Sequence, residues 1–222
     1  MNCTFIRKEH IASDIWTLYF QASSRFKYNA GQFIEMTLPH KNPDDRGVKR
    51  WFTLSSSPRD EFIAVTTRFL QIKPSTFKQT AYALEPKQSV SISDPLGDFT
   101  LPKDKTIPLL FVAGGIGITP FHSMLRWLHQ QGETRDIRLL YGARKQSDFV
   151  FINEFKEHGI NPVLVTQPVT PQDVLAPDNP EHLHIYLSGP EGMVKTLEHE
   201  LRPLLKGSQQ LVTDSFPGYS TI

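Results

Sequence analysis

The chain has 222 residues, with 24 Lys and Arg residues against 23 Asp and Glu residues, which gives a formal net charge of +1. A chain this close to neutrality lacks the cationic excess that non-specific nucleic-acid binding needs, and no charge run forms a polybasic membrane anchor. Its single cysteine, Cys3, excludes an internal disulfide, a cysteine-ligated zinc site and an iron–sulfur cluster. The first residues have neither the basic region nor the apolar region of a signal peptide, so we expect a cytoplasmic protein. From the cysteine count, we expect no metal centre.

The first hundred residues have the pattern of short β-strands separated by turns. Apolar residues alternate with polar ones in several runs, and residues 41–47 (KNPDDRG) have the composition of a turn. Strands are predicted at residues 11–20, 31–38, 51–54, 62–69 and 89–93, with one short helix at 76–84. This arrangement indicates a small antiparallel barrel or sandwich.

After residue 101 the pattern changes to alternating strands and helices. The polar segment 102–106 is the predicted hinge, so we place one domain at residues 1–102 and a second at 107–222. Strands of the second domain are predicted at 109–113, 137–141, 162–165, 185–187 and 211–213, and helices at 120–131, 148–158 and 191–204. This alternation predicts a doubly wound parallel sheet, so the fold class is a β domain followed by an α/β domain.

The strongest local motif is the glycine-rich segment 113–120 (AGGIGITP). It follows a strand predicted to be buried and precedes a helix, which is the context in which glycines let the backbone approach a pyrophosphate. The candidate nucleotide-binding residues are Gly114, Gly115, Gly117, Thr119 and Pro120. The alternative is a tight strand-to-helix turn without a ligand, and Pro120 stands where the Rossmann fingerprint has a third glycine.

The next predicted strand ends without the acidic residue that holds a ribose in many dinucleotide sites. Arg144 and Lys145 follow it instead, and an Arg at the carboxyl end of a strand can bind a 2′-phosphate. We therefore expect a slight preference for NADPH over NADH. A solvated surface Arg is the alternative.

A second motif, at residues 50–56 (RWFTLSS), combines a cation, aromatic rings and hydroxyls on one predicted strand. Residues two apart on a strand share a face, so Arg50 and Phe52 are predicted to point the same way. The cation can pair with a phosphate while the ring stacks on a flat cofactor. Thr53 is predicted to face the opposite side unless the strand ends there. The alternative is a rim Arg beside a core Phe.

Together with Ser188–Gly189–Pro190 and an aromatic C-terminal segment, these motifs resemble, in order and spacing, the ferredoxin–NADP reductase family of flavoenzymes. The resemblance covers essentially the whole chain and implies a six-stranded antiparallel flavin-binding barrel followed by a nicotinamide-binding α/β domain. It implies FAD as cofactor, with FMN less favoured, and NADPH or NADH as electron donor. It also implies a separate acceptor, such as ferredoxin or flavodoxin.

The resemblance further implies flavin-binding residues: Arg50, Trp51, Phe52, Thr53, Ser75 and Thr76. Arg50 would bind the flavin phosphate, and Phe52, which replaces the family's Tyr, would lie against the ring system. Thr53, an implied catalytic residue, would hydrogen-bond the flavin near its reactive nitrogen. Ser75 and Thr76 would hold the pyrophosphate of FAD, although the glycine that the family has before this position is absent.

On the nicotinamide side, the glycine-rich segment matches the family's nucleotide loop. Ser188, Gly189 and Pro190 match its Cys-Gly-Pro motif beside the nicotinamide, with Ser188 in place of the cysteine. Tyr219, or failing that Phe216, resembles the C-terminal aromatic residue that covers the flavin. Ser188 and Tyr219 are the other implied catalytic residues.

Three alternative functions remain open at the level of sequence. An NAD(P)H:flavin reductase of the same fold would use flavin as a diffusing substrate, which the incomplete phosphate-binding segment favours. A non-catalytic module would bind nucleotide without turnover, and the changes at Phe52 and Ser188 leave that open. A reductase of chelated iron is the third alternative.

Overall fold

The computed structural model describes residues 1–69, 74–175, 182–207 and 209–216. Their first half forms an antiparallel sheet with one short helix. The elements are β1 (Asn2–Ala12), β2 (Ile15–Ala22), β3 (Phe33–Thr37), β4 (Lys49–Thr53), β5 (Ile63–Arg68), α1 (Thr76–Tyr82) and β6 (Ser89–Ile92).

The six strands lie in the order β4-β3-β6-β1-β2-β5, and every neighbouring pair is antiparallel. A bridge between Leu54 and Val65 joins the two outermost strands, so the sheet closes into a barrel. Side chains such as Phe5, Ile34 and Phe77 fill its interior. The predicted antiparallel β class for this half is confirmed.

The strand predicted at residues 11–20 is confirmed over residues 15–20, which belong to β2, but its predicted start is wrong, because the chain reverses between Ala12 and Ile15. Ala12 pairs with Ile15 across a two-residue hairpin turn, so β1 ends where the prediction has a strand beginning. Ser13 adopts a positive φ of +46°, which the favoured two-residue hairpin turns require. Because Ser13 is not a glycine, the sequence gives no clear signal for this turn.

The second half of the chain forms a five-stranded parallel sheet flanked by helices. Its elements are β7 (Leu109–Gly114), α2 (Thr119–Gln131), β8 (Ile137–Gly142), α3 (Ile152–Glu157), β9 (Val163–Val165), α4 (Pro171–Val174), β10 (His184–Pro190), α5 (Glu191–Leu201) and β11 (Gln210–Phe216). The order is β11-β10-β7-β8-β9, which is the predicted doubly wound sheet. Strand order reverses between β7 and β10, and ligands of such sheets bind at the carboxyl ends beside that reversal.

Strand β7 is buried on both faces, as its continuous apolar sequence predicts. Leu109 and Phe111 pack in one core with α2, whereas Leu110 and Val112 pack in another with α5. In the described residues, no helix combines the length and apolar character needed to cross a membrane.

Two predicted helices of the second half are shorter than expected. The helix predicted at 148–158 begins at Ile152, because Phe151 adopts a left-handed conformation (φ +65°) directly before it. The helix predicted at 191–204 is α-helical only to Leu201, and a 3-10 turn that contains a proline follows it. Helix α4 was not predicted.

Candidate functional site

The two glycine-containing motifs of the α/β half meet at the carboxyl ends of β7 and β10. A Cβ atom added to Gly117 would lie 2.2 Å from the backbone carbonyl oxygen of Ser188. One added to Gly189 would lie 3.1 Å from the Cα of Gly114. The turn after β7 and the end of β10 therefore touch through backbone, at the position where a doubly wound sheet binds its ligand.

Gly115 is the member of this loop that faces open space. No heavy atom lies within 4 Å of where its Cβ would be, so a ligand backbone could approach here. Its φ of +53° also favours glycine on conformational grounds. The open space at Gly115 is consistent with a nucleotide-binding loop, and its positive φ is consistent with a tight turn.

The start of α2 differs from the prediction. Gly115–Ile118 form a 3-10 turn between β7 and the helix, and the Thr119 N–H donates to Ile116 within it. Thr119 Oγ1 also donates to the Ile116 carbonyl, at 3.1 Å, and Pro120 is buried in the first turn of α2. The Thr119 donors are therefore used within the protein, and Pro120 has no N–H. The N–H groups that could bind an anion would come from the 3-10 turn.

The remaining nicotinamide-side candidates that the structure describes, Arg144 and Phe216, lie at the same edge of the sheet. Arg144 is exposed two residues beyond the end of β8. Phe216 is the last residue of β11 and pairs in register with Pro190. Tyr219 lies outside the described residues.

Unpartnered buried polar atoms mark the candidate site. Among the residues that the structure describes, four buried side-chain nitrogen or oxygen atoms have no hydrogen-bond partner: Arg50 Nε, Thr53 Oγ1, His158 Nδ1 and Ser188 Oγ. Such atoms are rare in folded proteins, because a buried polar group without a partner costs about 1–3 kcal/mol. Three of these four residues are sequence-predicted site residues.

Arg50 and Phe52 share a face of β4, as predicted. The Arg50 guanidinium lies 5.1 Å from the Phe77 ring centroid, and the Phe52 ring lies 5.9 Å from the same ring. Arg50 also pairs with Asp44 at 2.7 Å and donates to three backbone carbonyls in the preceding turn. A phosphate on Arg50 would share the cation with this carboxylate.

The aromatic residues of this motif face opposite ways. Phe52 is 7% exposed within the barrel core, with Lys78 Nζ 5.1 Å from its ring centroid. Trp51 is 60% exposed on the other side of β4, against Phe33 at a centroid distance of 5.9 Å. Stacking of Phe52 on a flavin stays a prediction, and it requires the long Lys78 side chain to move.

The two hydroxyls predicted to hold a pyrophosphate already have protein partners. Ser75 Oγ accepts from the Lys78 N–H and caps α1. Thr76 Oγ1 accepts from the Asp44 N–H at 3.0 Å and lies 3.0 Å from His40 Nε2. Asp44 thus connects Thr76 with Arg50, so these two predicted phosphate ligands are brought together.

Asp214 is a candidate that sequence analysis missed. It lies on β11 in register with Ser188, so the two side chains occupy the same face of the sheet. Burial raises the pKa of the Asp214 carboxyl to about 6. In the sequence, Asp214 stands two residues before the candidate Phe216, which places it near the predicted site along the chain. Only the strand pairing shows that it lies beside Ser188.

Helix α2 links the barrel to the glycine-rich loop. The serine segment (Ser55–Ser57) begins two residues after the end of β4, and two of its carbonyls contact this helix. His122 Nδ1 lies 2.7 Å from the Ser55 oxygen, and Ser123 Oγ donates to the Ser56 oxygen at 2.6 Å. Thr53 is therefore two residues from a direct connection to the helix that begins after the glycine loop.

The nucleotide-binding character of the α/β half has support from known proteins. Residues 111–163 match a family model described as "Oxidoreductase NAD-binding domain". The chain is 28% identical to NADH oxidoreductase HCR of Escherichia coli K12, over 66% of this chain and 44% of that protein. It is 31% identical to ferredoxin–NADP reductase B of Sorangium cellulosum, over 59% of this chain and 52% of that protein.

The whole described fold also has a counterpart among solved structures. The flavohem-like FAD/NAD-binding domain of nitric oxide dioxygenase from Vibrio cholerae superposes with a TM-score of 0.80 at 18% identity. The match covers 97% of this chain and 98% of that one, so the barrel and the α/β sheet occur there in the same arrangement. By contrast, the chain spans about half the length of the curated relatives it matches.

Proposed function

We propose that the chain is a flavin-dependent NAD(P)H oxidoreductase of the ferredoxin–NADP reductase family, and its similarity to the NAD-binding family model and to ferredoxin–NADP reductase B supports this proposal. It takes electrons from NADPH or NADH and passes them through bound FAD to a separate acceptor. The barrel, at residues 1–102, binds the flavin, and residues 107–222 bind the nicotinamide nucleotide. The last strand of the first sheet ends at Ile92 and the second sheet begins at Leu109, which supports this division.

The observation that carries the proposal is the set of unpartnered buried atoms. Arg50, Thr53 and Ser188 come from both halves of the chain, and each keeps a buried polar atom without a protein partner. Since a protein rarely leaves such atoms unsatisfied, they are suited to bind a polar ligand. The residues present therefore fit a flavin and a nicotinamide.

A bound flavin supplies the hydride-accepting and electron-releasing chemistry that protein side chains lack. The protein's part is to orient the reacting rings and exclude water. On this proposal the Thr53 hydroxyl would donate a hydrogen bond to the flavin, and Arg50 would bind its phosphate. Ser188 would lie beside the nicotinamide ring, and the pyrophosphate of the dinucleotide would approach the backbone at Gly115, the open position of the glycine loop.

A diffusing flavin is the second candidate, and the contacts of the phosphate-binding residues favour it. The Arg50 cation is paired with Asp44, and the Ser75 and Thr76 hydroxyls are engaged inside the protein. These contacts would compete with the pyrophosphate of FAD. The chain would then act as an NAD(P)H:flavin reductase.

The visible absorption spectrum of the purified protein, before and after anaerobic addition of NADPH or NADH, tests the proposal. We expect flavin absorption that bleaches with at least one nicotinamide. A colourless protein that oxidises NAD(P)H only with added free flavin would favour the flavin reductase. Nucleotide binding without turnover under either condition would contradict both and leave a non-catalytic module.

The preferred nicotinamide is tested at Arg144. Because a 2′-phosphate needs a cationic partner, Arg144→Glu should lower kcat/KM for NADPH at least tenfold more than for NADH. NADH turnover by the same variant is the internal control. Equal losses with both nicotinamides would contradict a role for Arg144 in recognising the 2′-phosphate.

The acceptor that we propose is a small redox protein such as ferredoxin or flavodoxin, in a cytoplasmic setting. The relative named ferredoxin–NADP reductase supports this choice. Reduction of added ferredoxin or flavodoxin at the expense of NAD(P)H is the direct measurement. Rapid reduction of free flavin with neither protein acceptor reduced would contradict it.

A further inference from the structure

His122 of α2 contacts two separate parts of the molecule, the barrel and the α3 segment. Its Nδ1 lies 2.7 Å from the backbone oxygen of Ser55 in the barrel, and its Nε2 lies 2.9 Å from Glu154 Oε2 in α3. The imidazole ring stacks on Phe151 at a centroid distance of 3.8 Å and an interplanar angle of 17°. His122 is 8% exposed, so these contacts are shielded from water.

The chemistry of the Ser55 bond fixes one donor. The Ser55 carbonyl can only accept, so Nδ1 must carry a hydrogen. On the other side of the ring, Nε2 lies 2.9 Å from Glu154 Oε2. Burial opposes ionisation of Glu154, but its contacts with His122 and Arg126 lower the pKa of its carboxyl to about 2.

Other charged groups surround this arrangement. Arg126, also on α2, donates to Glu154 at 2.7 Å and pairs with Asp60 of the barrel at 2.7 Å. His158 at the end of α3 lies 4.0 Å from the other side of Glu154. The Glu154 carboxylate is thus held on several sides, which gives the His122 ring a fixed partner.

Phe151 is held in an uncommon backbone conformation where it meets His122. Its φ of +65° lies in the left-handed region, which costs a non-glycine residue roughly 1–2 kcal/mol. No side chain caps the start of α3 there. The surrounding structure offsets this strain, and the result is a flat aromatic ring placed against the imidazole. The orientation of His122 is therefore determined by packing as well as by two hydrogen bonds.

The contacts of His122 connect the two sides of the candidate site. Ser55 is two residues after Thr53. The Ser55 N–H donates to the Ala64 carbonyl of β5, and the Ser55 carbonyl is bonded to His122. Both backbone polar groups of Ser55 are therefore held in place. On the other side, His122 lies one helical turn after Thr119, which ends the 3-10 turn of the glycine loop.

We propose that His122 is a positioning residue whose bond to the Ser55 carbonyl sets Thr53 relative to the glycine loop. It thereby aligns the flavin side of the site with the nicotinamide side. This inference rests on the proposed function for its effect on rate. Its structural part, the ordering of the serine segment by the Nδ1 bond, stands independently.

Two variants separate the two bonds. In His122→Asn, the side-chain amide nitrogen occupies the position of Nδ1 and can donate to the Ser55 carbonyl. In His122→Gln, the side-chain amide nitrogen occupies the position of Nε2 and can donate to Glu154. Both variants lose the aromatic stack, so they are matched controls for a general loss of packing. The measurements are hydrogen exchange of the peptide 53–58 and the first-order rate of flavin reduction at saturating nicotinamide.

We expect His122→Asn to keep wild-type exchange at 53–58 and a reduction rate within about twofold of wild type. His122→Gln should exchange at least tenfold faster there and reduce flavin at least tenfold more slowly, with little change in nucleotide Kd, because small displacements of reacting groups are costly. Equal rates and equal exchange in the two variants would overturn the proposal.

The two hypotheses fail in different ways. If wild-type protein reduces no flavin with either nicotinamide, the proposed function fails, while hydrogen exchange still decides whether the Nδ1 bond orders the serine segment. If wild-type protein is active but the Gln variant transfers hydride as fast as the Asn variant, the positioning role fails and the proposed function stands.

Discussion

At the residue scale, the hydroxyls of Thr53 and Ser188 are the unusual features of this protein. Both side chains are buried, at 5% and 0% exposure, and neither hydroxyl has a hydrogen-bond partner. A buried hydroxyl without a partner weakens the folded state. A function that uses the hydroxyl explains why such a residue is present instead of an apolar one of the same size.

Thr53→Val tests this explanation, because it replaces the hydroxyl with a methyl group of similar volume. We expect the free energy of unfolding of the ligand-free protein to rise by about 1 kcal/mol, since an unsatisfied polar atom is removed. The rate of flavin reduction should fall about tenfold, because the proposed hydrogen bond from Thr53 to the flavin would be lost. Urea denaturation and anaerobic stopped-flow absorption provide the two measurements.

Thr66→Val is the matched control for Thr53→Val. The Thr66 hydroxyl is also buried but lies 2.8 Å from the Thr17 hydroxyl and 2.9 Å from that of Ser55. Removing it should destabilise the protein by about 1–2 kcal/mol. If Thr53→Val lost stability as Thr66→Val does, Thr53 would have a structural partner and its assignment to the site would be wrong.

Asp214 predicts a dependence of stability on pH. Burial raises the pKa of its carboxyl in the folded protein to about 6, above its ordinary value of 3.8. Its contribution to stability is therefore fully present below about pH 4 and is lost as pH rises through about 6. Asp214→Asn should match wild type at low pH and exceed it by up to about 3 kcal/mol at pH 8.

Urea denaturation of wild type and Asp214→Asn between pH 4 and pH 8 measures this difference. Asp45→Asn, a substitution at an exposed carboxylate, is the control for removal of one negative charge. A constant difference between wild type and Asp214→Asn across the range would contradict burial of the Asp214 carboxyl.

At the element scale, the close approach of the glycine loop to β10 decides the shape of the site. Gly117 lies against the backbone of Ser188 and Gly189, and Gly114 lies against the Met193 and Pro190 side chains. Packing between elements therefore explains these two glycines without a ligand. Gly115 alone among the three faces open space, which makes it the position where a nucleotide can approach.

Gly117→Ala and Gly192→Ala test the close approach as a pair. The added Cβ of Gly117→Ala would lie 2.2 Å from the Ser188 oxygen, so backbone must shift, and we expect a loss of at least about 2 kcal/mol in the free energy of unfolding. Gly192 in α5 has nothing within 4 Å of its Cβ position. Its replacement should leave stability unchanged or raise it by up to about 1 kcal/mol.

Chemical denaturation with urea measures both glycine variants. A Gly117→Ala protein as stable as wild type would show that the loop and β10 are farther apart than the structure has them. Nucleotide binding by the same variant should weaken as well, because a displaced loop moves Gly115.

At the scale of the whole molecule, ion pairs join the barrel to the α/β half. Arg68, at the end of β5, pairs with Asp14 of the β1–β2 turn and, at 3.0 Å, with Asp148 after β8. The Asp148 side chain is 7% exposed. A charge so deeply buried depends on its partner, because an unpaired buried carboxylate is strongly destabilising.

Arg68→Met should therefore lower the free energy of unfolding by about 3 kcal/mol, since it leaves Asp148 without its cation while keeping apolar volume. Arg7→Met is the control: Arg7 pairs with Glu9 at an exposed position, and its replacement should cost less than about 1 kcal/mol. Both are measured by urea denaturation. Equal effects of the two substitutions would contradict a structural ion pair between the halves.

Strong local patterns made much of this architecture predictable. The continuous apolar run of β7 and the apolar spacing of α2 are properties of a few consecutive residues, and both elements form close to their predicted positions. β1 was missed because its second half, residues 7–10, is charged or polar and lies at the outer face of a hairpin. In this part of β1, backbone pairing with β2 stabilises the strand, and the sequence has no local apolar pattern that would predict it.

The sequence by itself determined the β-then-α/β order, the glycine loop and the residue types of the candidate site, because these depend on composition and on spacing along the chain. Only the tertiary structure decided which polar groups already have partners. It left Thr53 and Ser188 unpartnered, engaged Ser75 and Thr76, and placed Asp214 beside Ser188. The physical reason is that burial and hydrogen-bond satisfaction depend on neighbours that are distant in the chain, which no local pattern records.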